Sequence, residues 1–169
     1  MKNTFALFST IALTAIVIIA CSKSERQVPI QLLLTDNPTS YDAVNVHIKG
    51  IQVKMSNDSS SWISLQSKDT TVNLLDLQNS VTMLLAQGTV PDGVLKEVRF
   101  ILDNDNTVVV SGTSHPLITP SAEHSGLKIK INKALNATMN TFTLDFDAAL
   151  SVKEENGSYK LMPVIKVKN

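Results

Sequence analysis

After Val28 the chain alternates. Apolar side chains return at every second position, the period of a strand with one face buried. Val44, Val46 and Ile48 fall on one side, with Asn45, His47 and Lys49 on the other. Val98, Phe100 and Leu102 form a second inward set. Leu127, Ile129 and Ile131 alternate with Lys128 and Lys130, and Phe142, Leu144 and Phe146 with Thr141, Thr143, Asp145 and Asp147. Tyr159, Leu161, Ile165 and Val167 alternate with Lys160, Lys166 and Lys168. Such strands belong to antiparallel sheets with one wet face. One step breaks the rhythm. Counting from Ile48 to Ile51 is odd, so Ile51, Val53 and Met55 would face outward without an extra residue. Gly50 stands at the break and predicts a β-bulge.

Turn residues separate these runs at Asp36-Asn37-Pro38, Ser56 to Ser59, Pro91-Asp92-Gly93, Asp103 to Asn106 and Asn156-Gly157. The last is a hairpin signal, because Asn and Gly both tolerate positive φ. One segment reads as a helix: Val81, Leu84 and Leu85 recur at i, i+3 and i+4, after Asn79-Ser80 as cap candidates and before Gly88 as a stop. Eight to ten short strands (roughly), one short helix and no βαβ rhythm predict an all-β fold, an antiparallel β-sandwich of Greek-key type. A body of about 150 residues buries roughly 70% of its unfolded surface, enough for a core without metal or disulfide.

The N-terminus reads as an address. Lys2 is the one charge before Cys21, and an apolar stretch runs from Phe5 to Ala20. About 15 apolar residues behind a basic start make a secretory signal, whereas a membrane-spanning helix needs roughly 20. The stretch ends at Ile18-Ile19-Ala20-Cys21, and Cys21 is the one cysteine in the chain. This resembles the bacterial lipobox, which implies cleavage before Cys21 and a diacylglycerol on its thiol, with fatty acids such as palmitate as the membrane anchor. Residues 1–20 are then a lipoprotein signal peptide, 21–27 a lipidated tether and 28–169 the folded domain. Ser22 stands where many inner-membrane lipoproteins carry Asp, so the same resemblance implies the outer membrane of a Gram-negative bacterium.

Charge narrows the partners. The chain holds 15 Lys+Arg and 15 Asp+Glu; without residues 1–20 the balance is 14 against 15, or −1. A chain so near neutral lacks the basic excess that nucleic-acid binding requires.

Several segments, taken in order, resemble one family. They are Leu34-Thr35-Asp36-Asn37-Pro38 with Tyr41-Asp42-Ala43-Val44-Asn45-Val46, then Trp62-Ile63 and Leu74-Leu75-Asp76-Leu77. Pro91-Asp92-Gly93, Val98-Arg99-Phe100-Ile101-Leu102, Thr119-Pro120-Ser121 and Ser125-Gly126-Leu127-Lys128 follow. Leu144-Asp145-Phe146-Asp147-Ala148-Ala149 and Tyr159-Lys160-Leu161-Met162-Pro163-Val164-Ile165 complete the set. This order is similar to the bacterial lipoprotein family called domain of unknown function 4382. The resemblance implies a β-rich, lipid-anchored envelope protein of Bacteroidetes-like bacteria and supplies no catalytic residue.

Four groups are weighed as candidate sites. Asp145 and Asp147, two apart, leave one strand face about 7 Å from each other. With Asp36 at a strand end, they are candidates for a ligand or calcium site or, as a pair, for acid–base hydrolysis. The structural alternative pairs them across the sheet with Lys128 and Lys130. Asp103 to Thr107 begins like a calcium loop, but Val108 takes the glycine position and Ser114 the final glutamate position, so a hairpin turn fits better. His115 and His124 read as residues of a polar loop, and three scattered histidines give no metal spacing. Trp62 and Tyr41 are the aromatics left over for a glycan platform, since the three Phe of the domain and Tyr159 fall on inward faces. These readings predict a non-catalytic, membrane-anchored binding or structural module without a cofactor, partnered by a glycan or another envelope protein. A carbohydrate-binding or calcium-dependent adhesion module, and a hydrolase using Asp145 and Asp147, are the alternatives.

Overall fold

The computed structural model describes residues 26–56, 61–119 and 126–168. The predicted signal peptide and Cys21 lie outside these residues. Among them no helix is long and apolar enough to cross a membrane.

The strands are β1 (Gln27–Thr35), β2 (Ala43–Met55), β3 (Ile63–Ser64), β4 (Gln66–Ser67), β5 (Thr70–Asn73), β6 (Met83–Pro91) and β7 (Val94–Leu102). Then come β8 (Thr107–Val110), β9 (Thr113–Ile118), β10 (Leu127–Ala134), β11 (Asn140–Phe146), helix α1 (Ala148–Ser151), β12 (Val152–Glu155), β13 (Ser158–Leu161) and β14 (Ile165–Lys168). One sheet has the order β14-β11-β1-β6-β4. The other runs β10-β7-β2-β8-β9-β13-β12, with β3 and β5 also on β2.

The inward residues of both sheets make one core. Val28, Ile30, Leu32 and Leu34 of β1 are fully buried, as are Val44, Val46 and Val53 of β2 and Val98 and Phe100 of β7. Phe100 meets Phe146 of the opposite sheet edge-on, with ring centroids 6.3 Å apart at 80°. The bulge predicted at Gly50 is present: pairing with β7 passes from Ile48↔Leu102 to Gly50↔Ile101. It keeps Ile51, Val53 and Met55 inside, each at 0–1% exposure. Burying three such side chains contributes about 1.5–3 kcal/mol apiece. Asn156 (φ 51°) and Gly157 (φ 74°) form the expected hairpin turn between β12 and β13.

Three expectations need correction. The sheets are mixed, because β1 pairs with β11 and β9 with β13 in parallel. Alternation reports which face is buried and carries no strand direction. Second, no helix follows Val81. Residues 83–91 are strand β6, with Leu84 half exposed and Leu85 buried. Asn79 (φ 57°) and Ser80 (φ 67°) form a left-handed turn instead of a cap. The helical pieces are a 3-10 turn at Leu74–Leu77, capped by Asn73, and the four-residue α1, capped by Asp147. Third, Asp103 to Asn106 is no hairpin. β7 and β8 both pair with β2, one after the other, and the segment is a break along the same edge.

Candidate functional site

The three predicted carboxylates do come together, and parallel pairing is the reason. β1 and β11 run in the same direction with Thr35 opposite Asp145, so both strands deliver their C-terminal acids to one end. Asp36, Asp145 and Asp147 are 1%, 5% and 8% exposed. The backbone N–H of Ala148 donates to Asp36 Oδ1 at 2.9 Å, and that of Leu150 to Asp147 Oδ1 at 2.9 Å. Between the other two acids lies an amide: Asn37 Nδ2 donates to Asp145 Oδ2 at 2.9 Å and to Asp147 Oδ2 at 3.4 Å. Lys168 Nζ stands 3.5 Å from Asp145 Oδ2, the partner that Lys128 and Lys130 were expected to supply. Those two lysines belong to the opposite sheet. Burial, first of all, raises the Asp36 carboxyl above its ordinary range; Asp145's charge adds to this, and the N–H groups of Ala148 and Asn37 oppose it. These acids therefore knit β1, β11, α1 and β14 in a closed seam. Two of the six carboxylate oxygens, Asp36 Oδ2 and Asp145 Oδ1, are buried with no hydrogen-bond partner among the described residues.

Trp62 and Tyr41 do not share a platform. Tyr41 precedes the start of β2 and packs on the core, with its hydroxyl pKa raised by burial and then by Tyr159 and Glu154. Trp62 flanks β3, which pairs near the far end of β2 at Val53, roughly 30 Å along the strand. Nor is the indole a bare surface. The Arg99 guanidinium lies over its ring at 3.8 Å from the centroid, and Lys54 Nζ at 5.5 Å.

Around this stack the solvent face of β10–β7–β2 is basic. Register sets Gln52, Arg99 and Lys128 in one cross-strand row and Lys54, Glu97 and Lys130 in the next. The rows are about 7 Å apart. In the first, Arg99 and Lys128 oppose each other directly, a like-charge pair that weakens a sheet. Among the described residues neither they nor Lys54 and Lys130 form an ion pair within 4.0 Å. Gly126 (φ 67°) presses on the Arg99 stem: a Cβ there would come within 2.8 Å of its Cγ and 2.9 Å of its Cδ. Arg99 is the residue that sequence reasoning missed. Its alternation with Val98 and Phe100 placed it outward, but the identity of its neighbours depends on strand order.

A second polar node surrounds His47, which sequence reasoning left as a solvated residue. Nδ1 lies 2.7 Å from Asp105 Oδ1 and Nε2 2.7 Å from Asp69 Oδ1. Asp103 completes a group with His47 and Asp105 in which one ligand atom from each lies within 4.8 Å of the others. Asp103 Oδ2, however, holds Lys49 Nζ at 3.1 Å. Hydrogen bonds to Asp69 and then Asp105 raise the imidazole pKa. The break at 103–106 exists for this node: Asn106 Oδ1 accepts the His47 N–H and the Asp103 N–H donates to the His47 carbonyl. His115 lies in β9, not in a loop, against Tyr159 at 4.9 Å between ring centroids. His124 lies outside the described residues.

A crystal structure of a "putative cell adhesion protein" from Bacteroides fragilis is similar at 14% identity and a TM-score of 0.36. The match covers 85% of this chain and 46% of that one, so the chain spans about half the length of its neighbour, and a likeness this low carries no argument. No curated protein matches. The family model described as "Domain of unknown function (DUF4382)" matches residues 27–163, nearly the whole folded region. This chain belongs to the DUF4382 family.

Proposed function

We propose that this protein is a non-catalytic binding module, anchored to the bacterial outer membrane through a diacylglycerol on Cys21, that meets an acidic envelope partner with the solvent face of β10–β7–β2. One observation carries the reading. In a chain of zero net charge, Lys54, Arg99, Lys128 and Lys130 share one open face on which, among the described residues, the cross-strand rows hold a single acid, Glu97. Unneutralised cations on a sheet face raise the local concentration of anions. The lipobox-like ending at Cys21 and the tether before β1 support the membrane anchor. The seam around Asn37 supports a structural role for its acids, because Asn37, Ala148 and Leu150 engage four of their six oxygens.

The test uses the full chain in two variants. Cys21→Ser is expected to lose labelled palmitate and leave the membrane fraction. Reversing Lys54, Arg99, Lys128 and Lys130 to Glu is expected to abolish saturable binding to isolated envelope material, with an unchanged circular-dichroism spectrum. Binding that survives this reversal refutes the surface.

A further inference from the structure

Resting on that reading, we infer that the acidic partner is a polysaccharide, and that Arg99, held in place by Trp62 and Gly126, is the residue that grips its anionic groups. A surface arginine ordinarily has many rotamers to lose on binding. Arg99 has already lost them. The indole lies against the guanidinium plane at 3.8 Å, and Gly126 leaves no room on the stem side. Cation–π stacking and a fixed stem preorganise the planar fork that matches a carboxylate or phosphate. The guanidinium is also without a counter-ion: it forms no ion pair among the described residues, and with Nε buried the terminal Nη groups are the ones left for an anion. Lys128 directly opposite makes a like-charge pair with Arg99, and an anion between the two relieves the repulsion. Lys54 and Lys130 offer a second pair of cations one row along the sheet, about 7 Å away, so a polymer of repeated charges engages both rows.

The same surface fits other acidic partners less well. Protein interfaces are anchored by apolar residues in a desolvated centre. Among the described residues the exposed large apolar side chains, such as Leu84, Ile118, Leu150 and Met162, lie on other strands, on loops and on α1. A membrane surface would be met by charge alone, because Arg99 lies over the Trp62 ring that would otherwise enter the headgroup region. The stack also replaces the predicted role of Trp62: it positions a cation and does not receive a sugar ring on that side.

The experiment measures binding of the full chain, held in phosphatidylcholine nanodiscs, to polygalacturonate. Methyl-esterified polygalacturonate, polyglutamate and phosphatidylglycerol vesicles serve as comparisons. Polygalacturonate is expected to bind, with affinity falling at least about tenfold between 50 and 200 mM salt as counterions are released. The esterified polymer is expected not to bind. Arg99→Lys keeps the charge and loses the fork; Trp62→Leu keeps every charge and frees Arg99. Each is expected to weaken binding about tenfold, and Lys153→Gln, on another strand, to leave it unchanged. Equal or tighter binding to polyglutamate or to the vesicles overturns the assignment to a polysaccharide. Wild-type affinity in Arg99→Lys and Trp62→Leu overturns the role of the stack. Failure to bind polygalacturonate, while four-site charge reversal still abolishes envelope binding, removes this inference and leaves the proposed surface standing; envelope binding that resists reversal removes both.

Discussion

Replacing Asp36 separates a structural carboxylate from a functional one. Asp36 is 1% exposed, and its Oδ1 accepts the N–H of Ala148, a residue that is itself fully buried. Its other oxygen, Oδ2, completes no hydrogen bond among the described residues. Asp36→Ala leaves the Ala148 donor buried and unpaired, which costs about 1–3 kcal/mol. Relief of the charge's own burial offsets part of this at neutral pH. A net loss of about 1–2 kcal/mol corresponds to a melting temperature lower by roughly 2–8 °C in a domain of this size. Asp36→Asn keeps an acceptor oxygen at the same place and removes the buried charge, so it is expected to be neutral or stabilising at pH 7. The pH dependence has a definite sign. Because burial raises the folded-state pKa of Asp36 above its ordinary value of 3.8, the folded protein holds this proton more tightly than the unfolded chain. The associated stability is complete below pH 3.8 and is lost as pH rises through the raised value. The advantage of Asp36→Asn over wild type should therefore vanish in acid and grow toward neutrality. Thermal melts of wild type and both variants between pH 3 and 7.5 measure this. If Asn proves as damaging as Ala at pH 7, the negative charge itself is needed, and the seam is a site rather than a latch.

Other outcomes follow from the same structure. Phe100→Ala, which removes a fully buried ring and its contact with Phe146, should cost about 3–5 kcal/mol by urea denaturation; less than 1 kcal/mol would contradict a core shared by the two sheets. Hydrogen bonds to Asp69 and Asp105 raise the His47 pKa, so the folded protein holds this proton more tightly than the unfolded chain; the stabilisation is complete below the ordinary histidine value of 6.5 and lost as pH rises through the raised one. His47→Gln should flatten the fall in melting temperature as pH rises above 6.5, and an unchanged slope would exclude the ion pairs as its source. Millimolar calcium should leave the melting temperature where it is, because the Asn37 amide lies between Asp145 and Asp147. A rise lost in Asp105→Asn and kept in Asp147→Asn would instead put a cation beside His47.

Much of the fold was legible because burial on one face writes a period of two into the sequence. Val44 to Met55 revealed both the strand and the bulge at Gly50, since an odd step cannot stay inside without one. Asn156-Gly157 revealed its hairpin because few residues accept two positive φ values in succession. What failed shares a physical cause. Val81, Leu84 and Leu85 carry a helical spacing, yet Leu85 packs inward while Val81 and Leu84 stay half exposed, because pairing with β1 decides the conformation. Spacing within a segment contains no term for its partner. Asp103 to Asn106 misled for the same reason: a turn-forming run looks alike whether it reverses the chain or interrupts one edge of a strand already paired.

The acid seam and the basic face both depend on those long-range pairings. Asp36 and Asp145 are about a hundred residues apart in sequence, and β1 meeting β11 in parallel brings their ends together. Had the pair been antiparallel, the end of one strand would face the beginning of the other, and Asn37 would have no second acid to bridge. The acids were thereby drawn inward to hold the fold. Lys54, Arg99, Lys128 and Lys130 form no ion pair among the described residues. Lys128, Arg99 and Lys54 come from three strands whose order in the sheet sets them side by side, across from a core that needs only Ile129, Val98 and Val53. Their opposite faces were free to be anything soluble. A sheet built for stability alone would place an acid opposite Arg99, as it places Glu97 between Lys54 and Lys130; a lysine there, beside a guanidinium already pinned on indole, is the arrangement expected of a face that waits for an anion.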